Sequence, residues 1–405
     1  MMGLIPNRVP IGQAHILCEQ SQYTILSTGQ VVNKGQYGLP FDGNALAHAL
    51  RFHGFPGVVV RVRGNHYKGI SLNNPNGNLL NTVQWTTGPV GDITIVGDEP
   101  DLGTRIGSVA CFASTGDLRL EKLTLMNPAV TACPFIVNQN TIVGRMLLYD
   151  IQFLPMDPSA WMGKGMKWNI RGHGVAKKWD CRNLKFHKAV EHGAYTDNHL
   201  EDSYFIKCVG SDMGRTLLQL ANRAQSGPAS QGILVVSQCV ANNGGTGGDG
   251  GSDFTIVGNG EGTVYFLNNK SFGSRQGSLV HWTDQGHGVY LTQNGFSTGS
   301  FVINDFEIVC PNADRDHISI SGVEEVIVSD WNITGNRTAI GLDSKFGGNI
   351  KNGSVALATG SKPPTQAPGW NTPKKMTKGI WHDNVWQSTH TLTDQEIDAL
   401  VSNRG

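Results

Sequence analysis

A short motif that recurs nine times constrains the fold of this chain more than any other feature. In each copy a polar residue is followed, three positions later, by an apolar one. The copies begin at Lys122, Asp150, Asn183, Asp202, Gln238, Asn269, Asp305, Asp330 and Asn352. Successive copies start between 19 residues (Asn183 to Asp202) and 36 residues (Asp202 to Gln238) apart. A unit that recurs at such intervals is typical of solenoids, propellers and other arrays.

A second family of short apolar segments lies between the motif copies, for example at 109–112, 216–220 and 254–257. Glycine, asparagine and aspartate bound these segments, which is a strand signal. Each interval therefore holds two or three short strands, fewer than the four of a propeller blade. Glycine supplies 52 of 405 residues, enough for many tight turns. We therefore predict an all-β chain that winds as a parallel β-helix.

The alternation of a strand also predicts which side chains lie inside the coils. Phe153, Phe186, Phe205 and Phe272 follow the motif, so we expect one interior stack of phenylalanines. The polar motif residues are expected at bends, where their side chains satisfy turn backbone. The seven cysteines include no C-x-x-C pair and lie mostly in apolar runs, so we expect buried, free thiols.

The two ends of the chain differ from the middle. An amphipathic helix is predicted between Asp42 and Gly54, followed by a strand at 58–62. A solenoid needs such a cap to prevent edge-to-edge growth. At the other end a proline-rich segment, 361–368, precedes a capping box at 393–396 that opens a short helix.

These features predict three parts. Residues 1–40 form an N-terminal arm, residues 41–358 form a β-helix domain that includes the cap helix, and residues 359–405 form a C-terminal tail. Tryptophans of the tail are expected to anchor its packing against the last coil; they are Trp370, Trp381 and Trp386.

The order of helix, Pro56-Gly57, apolar strand, Gly64-x-x-Tyr67 and coils resembles the opening of the pectate-lyase-like superfamily. The resemblance covers about residues 40–355 and implies a right-handed parallel β-helix with an N-terminal capping helix and a C-terminal extension. Members include polysaccharide lyases, some glycoside hydrolases, and viral tail-spike proteins that bind or cut surface glycans. The resemblance therefore implies a glycan as partner, and a homotrimer if the protein is viral.

Composition excludes several other classes. The chain has 32 basic and 32 acidic residues, and only 16% of its residues are charged, which argues against a nucleic-acid partner. No apolar run reaches the length of a membrane helix, so no membrane partner is expected. The first residues lack a secretory leader. We therefore expect a virion-associated or cytoplasmic protein, or a secreted one whose leader is missing from this sequence.

Ionisable residues are concentrated in the segment 171–223, where 15 of 53 residues are charged and four histidines lie. A solvated face would explain this composition, and so would an active site. Cleavage of a uronate-containing glycan by β-elimination requires a group that neutralises the carboxylate, a base and an acid. The segment offers such groups, and our predicted catalytic residues are Arg171, His173, His192, Tyr195, Asp197 and Arg215.

An acidic polysaccharide is therefore the expected substrate, and a lyase is the first hypothesis. Predicted substrate-binding residues are Lys177, His199, Asp212, Arg223 and His281, with a structural role the alternative for His281. A non-catalytic binding or structural protein, such as a viral spike or adhesin, is the second hypothesis. A glycoside hydrolase that uses two carboxylates, from Asp197, Asp202 or Asp212, is the third.

One glycine-rich segment, 244–253, resembles a single calcium turn of a β-roll. Carboxylates are the ligands that Ca²⁺ prefers. Asp249 and Asp253 are therefore candidate Ca²⁺ ligands, and a projecting loop without metal is the alternative.

Overall fold

The chain divides into two compact units, residues 1–187 and 188–405. The computed structural model describes residues 5–39, 42–66, 70–72, 86–87, 92–111, 116–127, 133–137, 142–155, 167–221, 230–247, 252–257, 262–275, 277–282, 297–313, 317–335, 340–344, 348–350, 353–357, 365–366, 378–382 and 385–390.

Strands dominate both units, and α1 (Ala45–His53) is the one α-helix among the described residues. The strands of the first unit are β1 Ile16–Cys18, β2 Gln22–Ile25, β3 Gln30–Asn33, β4 Val58–Val62, β5 Asn65–His66, β6 Ile70–Leu72, β7 Thr86–Thr87, β8 Ile93–Gly97, β9 Arg105–Ile106, β10 Val109–Cys111, β11 Leu118–Asn127, β12 Phe135–Val137, β13 Ile142–Pro155, β14 Trp168–Gly172 and β15 Val175–Phe186.

The strands of the second unit are β16 His192–Thr196, β17 Ser203–Ile206, β18 Val209–Ser211, β19 Thr216–Leu220, β20 Leu234–Ser237, β21 Val240–Asn242, β22 Phe254–Val257, β23 Val264–Leu267, β24 Lys270–Phe272, β25 Leu279–Trp282, β26 Ser297–Cys310, β27 Ile318–Gly335, β28 Ile340–Ser344, β29 Gly348–Ile350, β30 Gly353–Leu357, β31 Thr365–Gln366, β32 Lys378–His382 and β33 Val385–His390.

Parallel strands of the first unit stack in three columns. The first column runs through β4, β8, β11, β13 and β15, and the long strands β11, β13 and β15 continue past a bend into the second column. That second column begins with β5 and β9. The third column holds β6, β10, β12 and β14. The chain visits the three columns in turn, so the predicted all-β, solenoid-like stacking of parallel strands is present.

The second unit repeats this arrangement. One column contains β19, β22, β25, β27 and β28, and a second contains β17, β20, β23, β26 and β27. The third contains β18, β21, β24, β26, β27 and β30. Each coil adds one strand to every column, and each column is parallel throughout.

Non-glycine residues in the left-handed conformation mark the bend that joins two columns in each coil. Asparagine and aspartate enter this conformation more readily than most residues. In the first unit the bend residues are Lys122, Asp150 and Asn183, with φ of 55°, 54° and 56°. In the second they are Lys207, Gln238, Asn268, Asp305 and Asp330. The predicted polar bend is therefore confirmed for six copies of the motif.

Two of the predicted bend positions, Asp202 and Asn269, are wrong. In those two coils the residues with positive φ at the bend are Lys207 and Asn268. The Asp202 side chain lies one strand earlier and accepts a hydrogen bond from the Ile233 N–H at 3.0 Å. Asn269 is fully buried and accepts the Cys239 N–H at 2.9 Å. Both side chains satisfy backbone, as predicted, but neither makes the bend.

The predicted single stack of phenylalanines is also wrong. Phe153 and Phe186 are buried and stack at 5.3 Å with an interplanar angle of 12°. Phe205 is buried in β17, which precedes its bend, whereas Phe153 follows its bend. Phe272 is only half-buried. The apolar residue three positions after a polar one thus occupies different columns in different coils.

Free thiols contribute to the core, as predicted. All seven cysteines are buried, and none forms a disulfide bond. In the second unit the Cys208 N–H donates to the Cys239 Sγ at 3.4 Å. A buried cysteine of this kind behaves as a small hydrophobe.

A cap of helix and antiparallel strands covers the start of the first unit. The predicted helix is α1, and the Gly54 N–H closes it on the Leu50 carbonyl at 3.1 Å. The predicted strand at 58–62 is β4. β1, β2 and β3 form an antiparallel meander, and β1 also pairs in parallel with β4. Residues 16–33 therefore contribute three strands to the sheet.

The end of the chain contains an antiparallel hairpin of β32 and β33, in which Trp381 lies opposite Trp386. Trp370 and the predicted capping box at 393–396 lie outside the described residues. Within the described ranges, no helix has the length and apolarity to cross a bilayer.

Candidate functional site

A cleft of about 1150 Å³ opens in the first unit. The cap, the bends and an acidic turn all contribute to it. Its lining residues are Ile11, Gly12, Gln13, Ala14, Leu26, Val59, Arg61, Val96, Gly97, Asp98, Glu99, Pro100, Asp101, Leu102, Lys122, Asp150, Gln152, Asn183 and Lys185.

The bend residues of three consecutive coils supply one part of the lining. Lys122, Asp150 and Asn183 stack because neighbouring strands of a sheet lie about 4.8 Å apart. The Asn183 Nδ2 donates to the Asp150 Oδ1 at 2.7 Å. Gln152 and Lys185 pair in register two residues beyond these bends. The ladder that turns the chain thus also presents polar groups to the cleft.

An acidic turn supplies a second part. Asp98 lies 2.7 Å from the Arg63 guanidinium and 3.5 Å from that of Arg61. The Thr104 Oγ1 donates to the Glu99 Oε2 at 3.3 Å. Asp101 follows in a single 3₁₀ turn, and its side chain is exposed. The turn therefore carries one ion-paired carboxylate and one exposed carboxylate.

Gly97 allows the acidic turn to approach the bend of the next coil. A Cβ at this position would come within 1.9 Å of the Lys122 carbonyl oxygen. Any other residue would therefore push the two segments apart and widen this corner of the cleft.

An extended segment, residues 5–14, supplies the third part and is called the arm below. The Arg182 Nη1 donates to the Pro6 carbonyl at 2.7 Å, and the Arg119 Nη1 donates to the Val9 carbonyl. Both guanidiniums are buried and also form ion pairs, Arg182 with Asp180 at 2.6 Å and Arg119 with Glu121 at 2.8 Å. Residues 11–14, which follow, line the cleft.

One side chain of the arm contacts a residue of the cleft lining. The Arg8 Nη1 lies 2.7 Å from the Asp150 Oδ2, and its Nη2 lies 3.3 Å from the Oδ1. The Arg8 guanidinium sits 4.8 Å from the centre of the Tyr149 ring. Burial raises the pKa of Asp150, but hydrogen bonds from Arg8 and Asn183, together with the charges of Arg8 and Lys122, hold the pKa below its ordinary value. Asp150 is therefore a carboxylate at neutral pH.

The charges that remain available to a ligand are few. Asp98 and Asp150 are each neutralised by arginine. Among the described residues, Lys122, Lys185 and Asp101 make no salt bridge, and all three side chains are exposed. Two lysines and two carboxylates, Glu99 and Asp101, thus line the cleft without an ion pair among the described residues.

Three of the residues predicted from sequence lie in β14 and β15 of the first unit or between them. The Arg171 guanidinium lies 4.7 Å from the centre of the Trp168 ring, and the His173 ring meets the same tryptophan edge-on at 6.4 Å. Burial, and then the charges of Arg171 and Lys167, lower the pKa of His173 to about 4. His173 is thus a neutral imidazole at pH 7. The third of these residues, Lys177, lies in β15 with its side chain exposed.

The second unit buries three of the residues predicted from sequence, namely His192, Asp197 and His199, which are 3%, 6% and 2% exposed. The His199 Nδ1 lies 2.9 Å from the Glu201 carbonyl oxygen. Side chains this deeply buried offer little surface to a polymer.

Other predicted residues of the second unit are more accessible. The Tyr195 ring lies 5.4 Å from that of His192, and the Arg215 N–H donates to the Glu191 carbonyl at 2.8 Å. The strands β16 and β19 thereby bring Tyr195 and Arg215 to one region with half-exposed side chains. Asp212 is at a positive-φ corner and faces the Asn243 amide at 3.4 Å.

The remaining predictions fall partly outside the described residues. Arg223 and Asp249 are outside, and of His281 only the backbone is described, paired in β25 with Ile256 and Ile320. The Asp253 carboxylate is fully buried, and the Ser271 hydroxyl donates to its Oδ2. Within the described ranges, no three His, Cys, Asp or Glu side chains gather as a metal site would require.

Sequence reasoning missed the cleft. Lys122 and Asp150 were recognised as bend residues, but nothing in the local pattern indicates that the bends face a cavity. Arg8 contacts Asp150 across 142 residues of sequence, a separation that no local motif reveals.

Comparisons of this chain with protein-family models, with curated proteins and with solved structures find no match.

Proposed function

We propose that this chain is a right-handed parallel β-helix of the pectate-lyase-like type that binds an acidic polysaccharide in the cleft of its first unit. The observation that carries the proposal is the pair of exposed lysines, Lys122 and Lys185, in a polar cleft of about 1150 Å³. The three parallel columns of each unit support the proposed fold.

The shape and lining of the cleft support a carbohydrate ligand. Pockets for small ligands span roughly 300–1,000 Å³ and are mostly apolar. This cleft is larger, and much of its lining is amide or charged, including Gln13, Gln152 and Asn183. Amides donate and accept hydrogen bonds, which matches the hydroxyl groups of sugars. Leu26, 45% exposed at the edge, offers an apolar surface to a sugar ring.

The charge distribution supports an acidic glycan over a neutral one. The carboxylates of Asp98 and Asp150 are already compensated by arginines, so they repel an anion weakly. Lys122 and Lys185 make no salt bridge among the described residues, although the charge of Lys122 contributes to the low pKa of Asp150. An ammonium group is a compact charge with three donors, and it binds carboxylates well.

A binding assay tests this proposal. Oligosaccharides of alginate, pectate and a glycosaminoglycan, with neutral dextran as reference, are titrated into the full chain in a calorimeter. We expect binding of at least one acidic glycan, and Lys185→Ala is expected to weaken it at least tenfold. Lys270→Ala removes an exposed lysine of the second unit and is the matched control. Equal loss in both variants, or tighter binding of dextran, would overturn the proposal.

Cleavage by β-elimination is a second candidate, favoured by the same two lysines. One can neutralise a uronate carboxylate, and a deprotonated lysine can remove the acidified proton. Ultraviolet absorbance of an unsaturated product during incubation would identify a lyase. New reducing ends without that absorbance would identify a hydrolase, and binding without either product would identify a non-catalytic glycan-binding protein.

The residues predicted from sequence can be tested in the same assays. Arg171→Ala and His192→Ala should abolish cleavage without unfolding if the lyase site lies in the segment 171–223. If both variants cleave like the parent while Lys185→Ala does not, the site belongs to the cleft.

A further inference from the structure

We infer that the arm is a working part of the binding site, and that Arg8 makes the cleft acceptable to anionic ligands by neutralising and positioning Asp150. The inference rests on the proposed function, because it concerns how the same cleft selects its ligand. Arg8 is a positioning residue in this scheme, since it acts through Asp150.

The geometry of Arg8 favours a specific role over incidental packing. Both of its terminal nitrogens reach Asp150, one to each carboxylate oxygen, at 2.7 and 3.3 Å. A bidentate pair of this type fixes the plane of the carboxylate as well as its charge. The guanidinium also rests on the Tyr149 ring, which restricts its orientation further.

The remaining contacts of the arm fix its path. Arg119 and Arg182 bind carbonyl oxygens of the arm rather than its side chains. Each of these two arginines is held in turn by a buried carboxylate. These hydrogen bonds therefore fix the backbone of the arm so that Arg8 contacts Asp150 and residues 11–14 line the cleft.

The position of Asp150 makes its neutralisation relevant to a ligand. Asp150 lies in the bend ladder between Lys122 and Asn183, and all three line the cleft. A uronate that approaches Lys122 would meet the Asp150 carboxylate as well. If Arg8 were absent, like charges would repel each other, and Asp150 would compete with the ligand for Lys122.

The first test is made without ligand. We expect Arg8→Ala to raise the titration midpoint of the Asp150 carboxyl, measured by carbon-13 NMR, towards the ordinary value for aspartate. Arg8→Lys should recover only part of the difference, because an ammonium group cannot bind both oxygens. Arg145→Ala, which removes an exposed partner of Asp117, is the control. An unchanged midpoint in Arg8→Ala would overturn the inference.

The second test uses the acidic oligosaccharide that the parent chain binds most tightly. Arg8→Ala is expected to weaken binding at least tenfold, and the double variant Arg8→Ala/Asp150→Asn is expected to restore most of the loss. Dextran, if it binds, should respond to neither change. Rescue by Asp150→Asn distinguishes a charge effect from mere loss of the arm, because a displaced arm would not return when Asp150 loses its charge.

Failure of the inference and failure of the proposed function are distinguishable. If the parent chain binds no acidic oligosaccharide, the proposed function falls, whatever Arg8 does to Asp150. If the parent binds but Arg8→Ala binds equally well, or if Asp150→Asn fails to rescue, the proposed function stands and the role of Arg8 is overturned.

Discussion

Buried carboxylates are treated in opposite ways in the two units. In the first unit Asp180 is 4% exposed, and the Arg182 guanidinium donates to both of its oxygens at 2.6 and 3.1 Å. In the second unit Asp253 is fully buried and receives a hydrogen bond from the neutral hydroxyl of Ser271. Burial raises the pKa of Asp253 to about 7, and the bonds from Ser271 and Ser274 only partly oppose this.

The difference shows what each kind of partner can do. A guanidinium supplies a positive charge beside a buried carboxylate and has further N–H groups that hold a second element, here the arm. Hydroxyl groups satisfy hydrogen bonds but supply no positive charge, so the carboxylate of Asp253 becomes protonated near neutral pH. A buried acid is thus a fixed anchor in one unit and a titrating group in the other.

Removing the arginine from the first of these sites should have the largest effect. Arg182→Met leaves Asp180 buried without its cation and is expected to lower the free energy of unfolding by about 3–5 kcal/mol. Urea denaturation measures the change. Arg145→Met disrupts an exposed pair with Asp117 and should cost about 0–1 kcal/mol. Similar losses in the two variants would remove the distinction drawn here between a fixed anchor and an ordinary ion pair.

The second site should make stability depend on pH in the opposite sense to an ordinary ion-paired acid. The unfolded carboxyl of Asp253 loses its proton near pH 4, and the folded one near pH 7. Between these values the folded chain binds more protons, so its stability falls as pH rises, by at most about 4 kcal/mol.

Asp253→Asn keeps the shape and removes the charge. It should therefore be more stable than the parent at pH 8 and nearly equal to it at pH 4, by urea denaturation at both values. Asp305→Asn, which changes an exposed bend residue, is the control and should show little pH dependence. A parent whose stability is level from pH 4 to 8 would contradict the protonation of Asp253.

The buried histidine His66 should make stability depend on pH in the acid range, with a smaller effect than Asp253. His66 is fully buried; its Nδ1 accepts the Leu46 N–H at the start of α1, and its Nε2 lies 3.0 Å from the Arg63 carbonyl oxygen. Burial lowers the pKa of His66 to about 4, although the bond to Arg63 opposes this. The unfolded histidine gains its proton near pH 6.5, so stability is lost as pH falls from 6.5 to 4, by at most about 3 kcal/mol.

Hydrogen exchange measures this last effect locally, because protonation of His66 removes the acceptor of the Leu46 N–H. Exchange of the α1 amides, corrected for intrinsic rates, should accelerate between pH 7 and pH 4.5. His66→Gln should abolish most of that acceleration. Protection that is identical at both pH values in the parent would contradict the lowered pKa of His66 in the folded chain.

Much of the fold, but little of the site, could be predicted from the sequence. Bends such as Asp150, Asn183 and Asp305 were found because asparagine and aspartate favour the left-handed conformation that the bend needs. Lys207 escapes the prediction because Asp202, five residues earlier, fits the polar-then-apolar motif in that coil. Local conformation was thus predictable where it follows from the residue type.

The site depends on contacts between distant parts of the chain, and these were not predictable. The charge density of 171–223 could not reveal that His192, Asp197 and Asp180 are buried. The role of the arm depends on Arg8 meeting Asp150, and no periodicity in the sequence links them. The predictions for the segment 171–223 therefore stay predictions, whereas the cleft depends on contacts that only the folded chain brings together.

The bend ladder has a consequence for how such a molecule could change length. Every coil contributes one bend and one strand to each column, so a duplicated or deleted coil would join its neighbours through pairings that already exist. Inheritance or engineering could therefore lengthen the protein in whole increments of about 4.8 Å. Any surface groove that runs along the bend ladder would lengthen by the same distance with each added coil.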